Sequence, residues 1–174
     1  MKKLSPVAYI ETALPLVLFW LASLFTYLPF QWLPFQLLFS QTFMPLIALF
    51  YLTLFWKESL PIWGIFVIGI LQDALCGSAF GYHAILYLGF YWIVVTQARF
   101  FLQKPYSMLL AGFAFSTFVV MVLTYGVEYF IYHRTIPLMT LLLEGLTVVG
   151  LYTPGHFLLS AIHRAVKQEG DYGY

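Results

Sequence analysis

Four carboxylates stand inside long apolar runs of this chain: Glu11, Asp73, Glu128 and Glu144. An ionisable group in such surroundings is expensive, so it faces protein or water and marks function by default. His83, His133 and Arg134 lie near the same ends of the runs as Asp73, Glu128 and Glu144. Carboxylates beside imidazoles suggest two chemistries, proton transfer and metal ligation. The spacing argues against both. No pair of the H-E-x-x-H kind occurs. His156 and His163 are seven apart, a separation that returns to one helix face, but no third ligand accompanies them. Ser78 sits in Gly77-Ser-Ala-Phe-Gly81, which lacks the serine-centred arrangement of a nucleophile elbow. The expectation is therefore no catalytic residue, no metal and no cofactor.

Two readings of the acids remain open. One is structural: buried carboxylates hydrogen-bonded across helices fix packing. The other is a polar cavity that binds a solute, a lipid head group or a partner's helix. Glu11 has a simpler reading, since it lies about a turn inside the first apolar run, within reach of water or of Lys2 and Lys3.

The elements that would hold these residues are membrane helices. The 174 residues are 62% hydrophobic and 9% charged, whereas a soluble domain carries about a quarter charged residues. A globule of this size cannot hide that much apolar surface from water, so the bilayer is the expected solvent. A net charge of +1 supplies no basic patch for nucleic acid. The single cysteine, Cys76, can form no internal disulfide. Lys2 and Lys3 precede an apolar run long enough to stay as an anchor rather than be removed as a signal peptide.

Apolar runs and their breakers predict an all-α membrane protein, a single domain of six transmembrane helices over about 7–28, 42–56, 62–76, 82–98, 106–132 and 138–162. Residues 29–41, rich in Pro, Phe and Gln, read as a loop or a re-entrant piece. Pro154 is expected to kink the last helix, and residues 167–174 to form a polar tail. With both termini in the cytoplasm, Lys2, Lys3, Lys57, Arg99, Lys104, Arg164 and Lys167 fall inside and only Arg134 outside. That bias follows the positive-inside rule.

Helix periodicity then sorts the faces. Gly69, Asp73 and Gly77 are four apart and share one face, which predicts a close helix contact with Asp73 buried in it. Thr117, Thr124 and Glu128 share a face of the fifth helix, with Gly112 and Ser116 on a neighbouring one. Thr140, Glu144 and Thr147 line up on the sixth.

The segment Gly64-Ile-Phe-Val-Ile-Gly69-Ile-Leu-Gln-Asp73-Ala-Leu-Cys-Gly77-Ser78-Ala-Phe-Gly81 resembles the MreD family of bacterial rod-shape-determining membrane proteins. The shared pattern is a small-residue-rich helix ending in Asp, then Gly after three residues, then a second Gly after a short turn. Here these are Asp73, Gly77 and Gly81. Glu128, Pro154 and the basic end at Arg164 and Lys167 extend the likeness more loosely. The resemblance implies a non-catalytic scaffold of the bacterial inner membrane. It implies MreC, a bitopic coiled-coil protein, as partner, together with RodA, a class B penicillin-binding protein and MreB, in lateral peptidoglycan synthesis and rod shape. It also implies a fold similar to the S-components of energy-coupling-factor transporters. That supplies the rival reading, a solute-binding transporter subunit. S-components commonly dock through Ala-x-x-x-Ala on the first helix, and this chain offers only Ala8-x-x-x-Thr12.

Overall fold

In a computed structural model, the described residues are 6–25, 43–56, 60–101, 105–130, 133 and 137–171. Among them every regular element is an α-helix. The order is α1 (Pro6–Phe25), α2 (Pro45–Phe55), α3 (Ile62–Cys76), α4 (Tyr82–Phe101), α5 (Tyr106–Phe130) and α6 (Leu138–Asp171). The expected loop at 29–41 lies outside the described residues, as do Lys2, Lys3, Lys57, Lys104 and Arg134.

Proline punctuates the starts. Pro6 and Pro45 open α1 and α2, and Pro61, Pro105 and Pro137 stand just before α3, α5 and α6. Proline's fixed φ suits a first turn, where its missing N–H removes no helical bond. Pro15 and Pro154 instead lie inside α1 and α6. The sixth helix runs on past both the proline and the expected end at 162, taking in most of the residues expected as a tail. Glu11 falls on α1, with its side chain outside the described residues.

The second helix differs most from expectation. It has 11 residues, about 16 Å of rise, well short of the ~30 Å hydrocarbon core of a bilayer. Every residue from Pro45 to Leu54 is buried. A helix that is apolar all round belongs inside a bundle, and α2 packs against α1, α4 and α6. Phe50 lies at the centre, 5.3 Å from the ring of Phe113, 5.6 Å from Tyr152 and 6.3 Å from Phe90. Aromatic edges and faces from α2, α4, α5 and α6 thus meet at one point.

Among the described residues two helices are long and apolar enough to cross a membrane, Tyr106–Phe130 and Leu138–Ile162. They pack on each other, with Met121 of α5 lying over Gly145 of α6. Large apolar side chains cover their outer faces, among them Phe115, Phe118, Leu143 and Leu146. The remaining layer is the α3–α4 hairpin, which α1 and α2 flank.

Candidate functional site

The residues singled out in the sequence meet at the turn between α3 and α4. Gly77 ends α3 in the left-handed region, with φ 65° and ψ 24°. A side chain there meets steric resistance from its own backbone, so glycine is the usual solution. The Gly77 and Ser78 N–H groups both donate to the carbonyl of Asp73, which closes the helix end. Gly81, at φ 93°, turns the chain into α4.

The Asp73 carboxylate binds the start of that next helix. Oδ2 accepts the Gly81 N–H at 2.7 Å. Oδ1 accepts the His83 N–H at 2.8 Å, His83 Nδ1–H at 2.8 Å and the Ser78 hydroxyl at 3.0 Å. The first turn of α4 has no acidic residue of its own. Asp73 therefore caps α4 from the end of α3, placing a carboxylate where orphan N–H groups and the helix dipole favour one. Three donors of fixed direction, the Gly81 and His83 N–H groups and the Ser78 hydroxyl, suit an acceptor-only carboxylate. Such a carboxylate beside Nδ1 in turn assigns His83 as the tautomer with hydrogen on Nδ1. Asp73 is 1% exposed and His83 3%.

Serine, histidine and aspartate within bonding distance invite a test against a hydrolytic triad. There the imidazole bridges, with one nitrogen toward the carboxylate and the other toward the serine. Here both partners crowd Nδ1, since Ser78 Oγ lies 3.2 Å from that same atom. Nε2 is buried and makes no hydrogen bond. Ser78 gives its proton to Asp73, so no base faces the hydroxyl. The geometry is that of a clasp.

Close packing completes the clasp. A Cβ on Gly69 would overlap Ala84 Cα and lie 2.7 Å from the Ala84 nitrogen. Only glycine lets α3 and α4 approach so closely. The expected small-residue contact is thus found at Gly69 but not at Gly77, where a Cβ would meet nothing within 4 Å. The correction has a simple cause. Gly77 is the residue at which α3 stops, so helical periodicity no longer sets its direction, and φ alone demands glycine.

Asp73 takes its side-chain bonds from its own turn, and Glu128 and Glu144 are half-buried on α5 and α6. Met121 over Gly145 sets the register of that antiparallel pair, which offsets Glu128 from Glu144 by about 9 Å along the helices. Among the described residues no group of three or more His, Cys, Asp or Glu could hold a metal. Comparison with protein-family models, with characterised proteins and with solved structures finds no match to this chain.

Two further constellations come only from the structure. Gly112, Ser116, Thr117 and Thr124 all turn inward on α5, so the two faces expected there merge into one buried side. His156 is ringed by Tyr51, Phe55, Tyr106, Tyr152 and Phe157, with centroids 5.3 to 6.1 Å away. Tyr152 Oη lies 3.3 Å from its Nδ1, and the Tyr106 hydroxyl donates to Thr153 Oγ1 at 2.9 Å. These rings come from α2, α5 and α6, too far apart in sequence for any local pattern to join them.

Proposed function

We propose that the chain is a non-catalytic, multi-pass scaffold of the bacterial inner membrane, similar to the MreD family. It has six membrane helices and both termini in the cytoplasm, and acts in cell elongation by binding an MreC-type bitopic partner. The α3–α4 hairpin is the observation that carries this reading. Asp73, Gly77 and Gly81, which carry the resemblance, all serve one task there, the fixing of two helices at a rigid turn. A residue set used up in this way supports a shape-presenting protein rather than a chemical site.

Other features agree with membrane insertion. The charged residues are few and biased to the proposed inner side. Two helices among the described residues have the length and hydropathy of spans, and apolar side chains cover their outer faces. The short α2 fits as the enclosed member of the bundle. The recess between α1 and α3, walled by Leu16, Trp20, Trp63 and Val67, is lined by apolar groups alone. Such a lining suits a lipid chain or a helix better than a polar solute.

The direct test is affinity purification of the tagged chain from its native membrane. An MreC-type protein should co-purify, with RodA, the penicillin-binding protein and MreB more loosely held. Depletion of the chain should round the cells. Cells that stay rod-shaped without it would sink the proposal.

A further inference from the structure

We infer that the turn at residues 77–81 does not project into water but stops inside the outer leaflet, with Phe80 against lipid acyl chains. The inference rests on the membrane reading above, which puts the start of α3 at the cytoplasmic interface and the turn on the outer side.

Length comes first. The third helix has 15 residues, a rise of about 22 Å, against a hydrocarbon core of about 30 Å. Trp63, 66% exposed in the first turn of α3, suits the inner interface, where tryptophan prefers to sit. From that anchor the helix ends before it reaches the outer interface.

A chain reversal among acyl chains is tolerated only when its backbone groups find partners within the protein. This turn supplies them for the N–H groups of Gly77, Ser78, Gly81, Tyr82 and His83. Gly77 and Ser78 donate to the Asp73 carbonyl, Gly81 and His83 to the Asp73 carboxylate, and Tyr82 to the Ala79 carbonyl at 3.0 Å. The Ser78 hydroxyl and His83 Nδ1–H are also bonded within the hairpin.

The surface of the tip agrees. Phe80 is 82% exposed, Ile85 71% and Leu75 52%. Between residues 60 and 98 Asp73 is the only charged side chain, and it is buried. In water this would be an uncovered apolar knob with no charged side chain beside it in sequence. In the acyl region of the outer leaflet it needs no cover. The tip amides of Ala79 and Phe80 take no part in the clasp, which limits the depth to the level where glycerol oxygens can reach them.

The test is site-directed spin labelling of the full chain in phosphatidylcholine–phosphatidylglycerol vesicles. The background is Cys76→Ala, which removes the only cysteine. Nitroxides are placed at Phe80→Cys, at Phe115→Cys on the exposed outer face of α5, and at His133→Cys, an exposed residue between α5 and α6. Ala79→Cys serves if Phe80→Cys fails to fold. Collision with oxygen reports lipid, and collision with a water-soluble nickel chelate reports solvent. The expected result is that position 80 favours oxygen, as position 115 does, while position 133 favours nickel. An impermeant maleimide should also label the Phe80→Cys variant at least about tenfold more slowly than the His133→Cys variant, because a thiol in apolar surroundings ionises poorly. Nickel access at position 80 equal to that at position 133, with position 115 still in lipid, overturns the inference and leaves the membrane reading standing. Nickel access at both 80 and 115 overturns the membrane reading itself. Shielding of position 80 from both agents overturns the inference in favour of a protein partner seated on the tip.

Discussion

Replacing Asp73 is the sharpest perturbation of the hairpin. Asp73→Ala leaves four donors without an acceptor: the N–H groups of Gly81 and His83, the Ser78 hydroxyl and His83 Nδ1–H. Each buried donor left unsatisfied costs about 1–3 kcal/mol, so the loss should be several times that of a single bond. Asp73→Asn has nearly the same shape but only one acceptor oxygen. Placed at the Oδ1 position, that oxygen keeps three bonds and turns the amide NH2 toward the Gly81 N–H, 2.7 Å from the original Oδ2. Two donors then face each other, and the cap loses its charge. The loss should be about 1–3 kcal/mol. Loss of helical circular dichroism on titration with denaturant in mixed micelles measures both variants. Hydrogen exchange at the Gly81 and His83 amides locates the damage. The expected order is wild type, then Asn, then Ala, with exchange faster at those amides than at the α5 core. A stability of Asp73→Asn within about 0.5 kcal/mol of wild type, the usual size of a neutral surface change, would refute the reasoning. It would mean that α4 does not depend on the carboxylate for its cap.

Gly69→Ala forces a Cβ against the Ala84 backbone, and the helices must part at about 1–3 kcal/mol, visible in the same titration. Gly145→Ala meets only the flexible end of Met121, so its loss should be about 1 kcal/mol or less. Gly77 and Gly81 separate conformation from space, since neither has a neighbour near its missing Cβ. Gly77→Ala should cost about 1 kcal/mol and Gly77→Asn less, because asparagine tolerates the left-handed region. At Gly81, with φ 93°, asparagine should give no such relief, and paired melting curves check both. Ser78→Ala removes one of four bonds to Asp73, so it should lower stability by about 1 kcal/mol and leave co-purification of the partner unchanged.

Much of the hairpin is legible in the sequence. Glycines bracket the turn, and an acid four residues before Gly77 falls on the same face as Gly69. That pattern predicts a buried Asp73 at a close contact, and the structure places it so. The packing role expected of Gly77 does not hold, because a face drawn from helical spacing extends one residue past the helix end. His83 as the partner of Asp73 is not legible. The two are ten residues apart across a turn, and no helical or strand period joins such positions.

Composition and periodicity decide that this chain is helical, where most of its helices run, and which acid lies at the tight contact. They can do so because apolar runs, prolines and glycines act locally on the backbone. What α2 does is settled only in three dimensions. A short apolar run reads the same whether lipid or protein surrounds it, and here other aromatic-bearing helices supply neighbours on its sides. The role of the Asp73 carboxylate is likewise decided by the fold. Its type and place are written in the chain, but its work is to hold the first amides of another helix, and only the reversal at Gly77 and Gly81 brings those amides within reach.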